Sequence, residues 1–195
     1  MRIEICGGIA SGKTTLASSL AARGIREVNE RFQENPFFSK FYLDPAKYAF
    51  ETEITYLLQH FSQVHECVPT DRVVTDFSLA LDLAYAHVTL GSSDREVFET
   101  VLNRCCAKIS PPSLIVRLNC SIPSEMSRIQ SRGRPAEQAI SESFLQAIDD
   151  AIGYALKTKW YRGVPVVQVD STVCDFRPGG KGREGLTSEI MTAVM

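Results

Sequence analysis

A glycine-rich segment near the beginning of the sequence constrains the fold more than any other feature. Residues 7–14 read GGIASGKT and match the pattern G-x-x-x-x-G-K-[ST] at every position. The segment follows a strand-like apolar run over Arg2–Cys6 and precedes a helical spacing of apolar residues over Lys13–Arg23. In that setting, glycines allow successive backbone N–H groups to turn inward and cradle phosphate oxygens. The segment therefore predicts a binding site for a nucleoside triphosphate.

The predicted contacts with the triphosphate come from this loop and from the first turn of the helix after it. They are Gly7, Gly8, Ile9, Ala10, Ser11, Gly12, Lys13, Thr14 and Thr15. The Lys13 ammonium is expected to reach the β and γ phosphates, and the Thr14 hydroxyl is expected to bind Mg²⁺. The alternative is a plain strand-to-helix turn in which Lys13 is solvated, but a complete motif at the first strand–helix junction favours the phosphate site.

Strand-like and helical segments alternate along the chain. The predicted strands are Arg2–Cys6, Ile25–Asn29, Arg72–Asp76, Ser113–Leu118 and Val164–Val169. The predicted helices are Lys13–Arg23, Ala46–Cys67, Ser78–Val88, Ser93–Lys108, Pro123–Gln130, Ala136–Lys159 and a short one at the C-terminal end, with a turn-rich connection between Pro36 and Pro45. Apolar strands separated by helices indicate a parallel sheet covered on both faces. We therefore predict one α/β domain over residues 1–195, with three layers and a five-stranded parallel sheet.

Composition narrows the classes of partner. With 195 residues, 44% of them hydrophobic, the chain is long enough to bury a core without disulfides. Its 21 Lys and Arg against 23 Asp and Glu give a formal net charge of -2, which argues against a general affinity for nucleic acid. No apolar stretch approaches the roughly 20 residues that span a bilayer, and the first residues lack a signal-peptide layout. We expect a cytoplasmic protein without a membrane partner, whose six cysteines, none in a CxxC pair, stay free thiols.

Three arginines are grouped in the segment RIQSRGR, at Arg128, Arg132 and Arg134. The segment follows the fourth predicted strand, which would place it across the nucleotide site from the glycine-rich loop. In a chain without a cationic excess, this group suggests a mobile lid, over about residues 128–138, that neutralises charge during phosphoryl transfer. A solvated basic helix face is the alternative, and the glycine-rich loop favours the lid.

Acidic residues stand where predicted strands end. Glu27 and Glu30 lie at the end of the second predicted strand, and Asp76 ends the third. In open α/β sheets the carboxyl ends of strands face the ligand crevice, where a carboxylate can accept a proton from a hydroxyl or hold Mg²⁺. Each of these acids could equally be a surface acid or a helix cap. Asp170, after the last predicted strand, is expected near the adenine of the phosphoryl donor from its position alone.

Four motifs are specific when taken in their order and spacing. They read GGIASGKT, ERFQENPFFSKFYLDPAKYAFETE, TDFS and RIQSRGRPAEQ. Together, from Gly7 to about Asp170, they resemble the deoxynucleoside kinase family, which includes deoxycytidine, deoxyguanosine and deoxyadenosine kinases. The resemblance implies a three-layer P-loop kinase fold and a Mg²⁺-dependent transfer of the γ-phosphoryl group of ATP to the 5′-hydroxyl of a deoxynucleoside. A homodimer is compatible with the same resemblance.

The resemblance also implies roles for individual residues. Glu30 is similar to the carboxylate that takes the proton from the 5′-hydroxyl, and Asp76 is similar to the acid that helps to hold Mg²⁺. The three grouped arginines resemble the family's lid arginines. Tyr42 and Glu137 resemble the pair that binds the sugar 3′-hydroxyl.

The chain departs from the family at the expected site for the base. His60 and Asp82 fall where many members place an arginine and an aspartate that read the base. Glu53 replaces the usual glutamine, and Ala86 stands where an aromatic ring is expected. Phe77 replaces an arginine that, in the family, helps to position the carboxylate that accepts the proton. We assign Glu53, His60, Phe77 and Asp82 to the acceptor site, where an ionised Glu53 would favour guanine because guanine offers two donors. The departures leave two alternatives, a kinase for another small acceptor and a nucleotide-binding switch.

Overall fold

A parallel sheet forms the centre of the computed structural model, which describes residues 1–68 and 70–193. The strands are β1 (Arg2–Gly7), β2 (Arg26–Val28), β3 (Val73–Thr75), β4 (Leu114–Asn119) and β5 (Val166–Asp170). Their order is β2-β3-β1-β4-β5, and every neighbouring pair is parallel. In β1, Ile3 is in register with Val74 of β3 and Leu114 of β4. The predicted five-stranded parallel sheet is therefore confirmed.

Helices connect the strands and cover the sheet. They are α1 (Lys13–Ala21), α2 (Phe38–Leu43), α3 (Pro45–His65), α4 (Leu79–Thr89), α5 (Ser92–Cys106), α6 (Ile122–Arg132), α7 (Glu142–Ala155) and α8 (Arg183–Ala193). Two 3₁₀ helices span Phe32–Glu34 and Pro135–Ala139. Local signals start several of these elements: the Ser78 hydroxyl, for example, caps α4 by accepting the backbone N–H of Leu81 at 3.1 Å.

Side chains of the central strands alternate between two apolar cores, one on each face of the sheet. Ile3 and Ile5 of β1 enter the core that α1 and α8 cover, where they meet Leu16. Cys6 of β1 and Ile115 of β4 point to the opposite face and enter the core formed with α3, α4, α5 and α7. Because both faces are covered by helices, the fold has three layers, as predicted.

Two connections differ from the prediction. The helix expected over Ala136–Lys159 is instead a 3₁₀ helix followed by α7, because Ile140 and Ser141 have extended backbone and the Ser141 hydroxyl caps a new helix at Phe144. The turn-rich connection between Pro36 and Pro45 contains α2, whose Phe41 is buried in the core below. A local cap therefore sets the beginning of α7, whereas the burial of Phe41 stabilises α2.

Two further properties follow from the described structure. All six cysteines are free, as predicted. In residues 1–68 and 70–193, no helix has both the length and the apolar character that crossing a membrane requires.

Candidate active site

A cavity of about 530 Å³ opens at the carboxyl ends of β1, β2 and β3. It gathers residues that are far apart in the sequence, since the glycine-rich loop follows β1, Glu30 follows β2 and Asp76 follows β3. The predicted site residues in its wall are Ile9, Ala10, Ser11, Gly12, Lys13, Thr14, Thr15, Glu30, Tyr42, Glu53, Asp76, Asp82, Arg128, Arg132, Arg134 and Glu137. The predicted residues outside its wall are Gly7, Gly8, His60, Phe77 and Asp170.

The glycine-rich loop wraps one end of the cavity and leads directly into α1. Gly12 has a φ of 104°, in the left-handed region that disfavours side chains, and it precedes the first helical residue. The Lys13 ammonium bends back over the loop and donates to the carbonyl oxygens of Gly7 at 3.0 Å and Gly8 at 2.9 Å. The loop therefore presents backbone amides, a helix N-terminus and a cation at one place, which suits a phosphate group.

The glycine at position 8 allows the loop to pack against a buried acid. A Cβ atom there would lie 2.2 Å from Oε1 of Glu125, on the first turn of α6. Burial raises the pKa of Glu125 to about 7, and the nearby Lys13 ammonium opposes that rise. Glu125 was not predicted as a site residue. The sequence shows it only as an acid near the start of the helix after β4, which is a common position for an acid.

Asp76 links the glycine-rich loop to the segment that carries Glu30. One carboxylate oxygen of Asp76 accepts the Thr14 hydroxyl at 2.6 Å, and the other accepts the backbone N–H of Glu30 at 2.6 Å. Thr14 and Asp76 thus bring together two oxygen groups of the kind that Mg²⁺ prefers, and this pair fits a magnesium ion completed by substrate phosphates. Within the described ranges, no group of three or more His, Cys, Asp or Glu side chains forms a self-contained metal cage.

Glu30 is joined to this junction by its backbone, and its carboxylate faces the cavity. Its side chain is 34% exposed, so it can be reached from the cavity. Enclosure by the surrounding protein raises the pKa of Glu30, whereas the positive charges of His60 and Lys13 lower it. A carboxylate with a raised pKa is a stronger proton acceptor than one on an open surface.

The three grouped arginines lie over the cavity and are held there by different partners. Arg128 donates to the carbonyl oxygens of Ala10 at 3.3 Å and Ser171 at 2.6 Å, which joins α6 to the glycine-rich loop. Arg132 and Arg134 both bind the buried carboxylate of Glu137. All three arginines thus line the cavity, and Arg132 and Arg134 share one carboxylate there.

Aromatic side chains from outside the glycine-rich loop form a second part of the cavity wall, here called the aromatic end. Those in its wall are Phe32, Phe38, Phe41, Tyr42, Tyr56 and Tyr85. Ala86 is fully buried in the core, and its neighbour Tyr85 faces the cavity instead. Burial raises the pKa of Tyr42 and Tyr85, so both phenols keep their protons. Phe32 and Tyr56 were missed from the sequence, although Tyr56 lies one helical turn from Glu53 on α3.

Glu53 lies at this aromatic end, and its environment corrects the expectation that it is ionised. The side chain is buried, and its carboxyl group accepts the Thr89 hydroxyl at 3.0 Å. Burial raises the pKa of Glu53 to about 8, and the hydrogen bond from Thr89 only partly opposes this. At neutral pH the group is therefore mostly a neutral acid that offers one donor and one acceptor.

Besides Gly7 and Gly8 of the loop, three predicted contacts are not at the wall of the cavity. His60 and Phe77 are both buried behind it, where their rings stack with centroids 4.2 Å apart. Asp170 is the last residue of β5, and its carboxylate accepts the backbone N–H of Thr172 at 2.8 Å. The helix face that carries His60 is covered by other elements, which sequence periodicity could not show.

Comparisons with known proteins find matches to a family, to sequences and to solved structures. The family model described as deoxynucleoside kinase matches residues 3–195. A deoxyguanosine kinase of Bacillus subtilis (strain 168) is 29% identical, over 80% of this chain and 78% of its own length. A deoxyguanosine kinase of Lactobacillus acidophilus is 27% identical, over 97% of this chain and 89% of its own length. Among solved structures, a deoxyadenosine kinase from M. mycoides with bound dCTP shares the fold with a TM-score of 0.83 and 23% identity, covering 98% of this chain and 100% of that chain.

These matches cover nearly the whole sequence, and they include the loop, the acids and the arginines that meet at the cavity. The fold, the order of the motifs and the family model lead to one assignment, that of a phosphotransferase that acts on nucleosides. The chain belongs to the deoxynucleoside kinase family.

Proposed function

We propose that the protein transfers the γ-phosphoryl group of ATP to the 5′-hydroxyl of a purine deoxynucleoside, with guanine slightly favoured. The observation that carries the proposal is the Asp76 carboxylate, which bonds both Thr14 of the phosphate loop and the backbone of Glu30. This link holds a proton acceptor beside the phosphate site, within one cavity. Relatives named deoxyguanosine kinase and deoxyadenosine kinase support a purine acceptor.

The residues at the phosphate end would bind the donor and stabilise the transferred group. The loop amides and Lys13 would bind the β and γ phosphates, and the lid arginines would neutralise charge as it develops. Thr14 and Asp76 would hold Mg²⁺, which supplies positive charge to the phosphate oxygens when it is bound. Glu30 would accept the proton of the 5′-hydroxyl, so the protein contributes mainly position and charge.

Residues at the aromatic end would bind the deoxyribose. Tyr42 keeps its phenolic proton and can donate to the 3′-hydroxyl. The Glu137 carboxylate can accept from the same hydroxyl, and Arg132 and Arg134 hold it in place. A sugar bound between these groups would direct its 5′-hydroxyl toward Glu30.

Glu53 can pair with guanine in either of its protonation states, but it selects guanine over the other bases only as a carboxylate. As a neutral acid it can donate to the guanine O6 atom and accept the ring N–H. As a carboxylate it can accept the ring N–H and the amino group together. Adenine, cytosine and thymine offer complementary groups to the neutral acid only, because none of them presents two adjacent donor groups.

The release of ADP with a panel of nucleosides tests the proposal. Deoxyguanosine, deoxyadenosine, deoxycytidine and thymidine are each added to the protein with ATP and Mg²⁺, and turnover is measured. We expect nucleoside-dependent turnover that is highest with deoxyguanosine. Slow hydrolysis that ignores every nucleoside would indicate a nucleotide-binding switch, and stimulation only by another small alcohol would indicate a different acceptor.

Two further proposals, on the oligomeric state and on the location in the cell, come from the sequence. We propose a homodimer, supported by the exposed Leu58 and Val97 on the neighbouring helices α3 and α5. Sedimentation analysis would measure twice the mass of one chain, and a monomer at all concentrations would contradict it. We also propose a cytoplasmic location, which fractionation of cells that express the protein would test.

A further inference from the structure

His60 on α3 lies between two carboxylates that come from different elements. Its Nδ1 atom is 2.9 and 3.0 Å from the two carboxylate oxygens of Asp82 on α4. Its Nε2 atom is 3.7 Å from Oε1 of Glu30, in the segment after β2. One edge of the imidazole is therefore anchored, and the opposite edge faces the proposed proton acceptor.

The Nε2 atom of His60 has no hydrogen bond in the described part of the chain, although the side chain is only 2% exposed. Buried polar atoms without a partner are rare in folded proteins, and each one calls for an explanation. Here the atom faces a carboxylate oxygen of Glu30, and a shift of less than about 1 Å would bring the two within hydrogen-bond distance.

Two aromatic rings restrict the imidazole of His60 to this orientation. The Phe77 ring is stacked on it with centroids 4.2 Å apart and an interplanar angle of 13°. The Tyr56 ring lies 5.6 Å away at an angle of 28°. Because neighbouring rings pack against the faces of the imidazole, its nitrogen atoms can act only in the plane that contains Asp82 and Glu30.

The surrounding charges favour a protonated His60. Burial is the largest single influence and opposes the charge, but the carboxylates of Asp82, Glu30 and Asp76 together outweigh it and raise the pKa of His60. An imidazolium donates through both nitrogen atoms, so it can bind Asp82 and Glu30 together. Lys13 is the other cation near Glu30.

We propose that His60 is a positioning residue for the proton acceptor: Asp82 fixes the imidazole of His60, and Nε2 holds Oε1 of Glu30, which leaves the second carboxylate oxygen for the substrate hydroxyl. The inference rests on the proposed function, in which Glu30 takes the proton. It also explains Phe77, which replaces an arginine expected to position that carboxylate. The phenyl ring supports His60, and His60 supplies the cation from another helix.

A double-mutant cycle between positions 60 and 30 tests the proposal. His60→Leu removes the donor in the wild-type protein, and we expect kcat to fall about 100-fold while KM for ATP is unchanged, since displacing a reacting group by about 1 Å has an effect of that size. In a Glu30→Gln background, the same substitution should lower kcat by less than about 3-fold, because the carboxylate that His60 positions is already absent. His60→Gln keeps a donor and should recover part of the loss.

His87 on α4 provides the matched control, since its Nε2 atom binds Glu99 at 3.1 Å and it lies outside the cavity wall. His87→Leu should leave kcat unchanged. Equal losses from His60→Leu in both backgrounds, or a raised KM for the nucleoside with unchanged kcat, would overturn the positioning role. If Glu30→Gln alone has no effect, the proposed role of Glu30 fails and the inference fails with it. If His60→Leu does not fold, the same cycle is run with His60→Asn. We then expect His60→Asn to lower kcat in the wild-type background only.

Discussion

The buried carboxyl group of Glu53 should make the stability of the protein fall as the pH rises. An unfolded chain would lose the Glu53 proton near the usual pKa of 4.5, whereas the folded protein keeps it to about pH 8. Between these values the folded state binds one more proton than the unfolded state, so stability is lost with rising pH, by about 1.4 kcal/mol per unit. Raising the pH from about 6 to about 8 should therefore cost the wild type roughly 2–3 kcal/mol through this group alone.

Glu53→Gln removes the titration and keeps an oxygen that can accept the Thr89 hydroxyl. Urea unfolding of both proteins at the two pH values isolates the effect, because every other titrating group contributes equally to both and cancels. Glu51→Gln, at an exposed position on the same helix, is the control and should behave like the wild type. If the wild type and Glu53→Gln lose the same free energy of unfolding between the two pH values, the reasoning about the buried acid is refuted.

The same titration should change the choice of acceptor. Below about pH 8 a neutral Glu53 can pair with adenine or guanine, whereas above it the carboxylate complements guanine alone. We expect the ratio of kcat/KM for deoxyguanosine to kcat/KM for deoxyadenosine to rise through about pH 8, by up to about tenfold per pH unit. In Glu53→Gln the ratio should be flat, and a parallel rise there would exclude Glu53 as its cause.

Three further substitutions, two of them with a matched control variant, test the site and the core. Glu30→Gln should lower kcat by about 100-fold or more with little change in ATP binding, whereas Glu27→Gln, outside the cavity wall, should not; equal activity of the two variants would remove Glu30 from the mechanism. Gly12→Ala should weaken ATP binding and lower the free energy of unfolding by more than the roughly 1–2 kcal/mol expected for a left-handed alanine, because a Cβ there would lie 3.1 Å from Phe176. Gly24→Ala, also left-handed but in open space, should show the smaller cost only and leave ATP binding intact. Phe98→Ala should cost about 3–5 kcal/mol in denaturant unfolding, since the ring is fully buried, and a loss below about 1 kcal/mol would contradict this account of the core.

Much of the fold could be predicted because its signals are local. Apolar residues predominate in β1, β3, β4 and β5, and the loop after β1 carries a motif whose residue types follow from backbone geometry. The acids at the ends of strands were candidates because parallel strands end at a common edge. The break between the second 3₁₀ helix and α7 was missed because a run of helix formers continues through it, and only the Ser141 cap marks the new beginning.

The acceptor side was harder to predict, because its properties depend on what surrounds each side chain. His60 and Phe77 occupy the positions that the motifs indicated, yet they lie behind the cavity wall and stack on each other. Glu125 is separated from Gly8 by more than a hundred residues, and a Cβ built at Gly8 would nevertheless lie 2.2 Å from its carboxylate. No spacing in the sequence encodes such a contact, since it exists only when β1 and β4 are paired.

The sequence by itself determined the glycine-rich loop, the class of fold and the set of charged groups available to the cavity, because each of these follows from residue types at short range. The tertiary structure decided which groups meet, and therefore their charge. It buries Glu53, which raises its pKa, and it places His60 between Asp82 and Glu30. A carboxyl group acquires its chemistry from the dielectric and the partners around it, and those are set by distant parts of the chain.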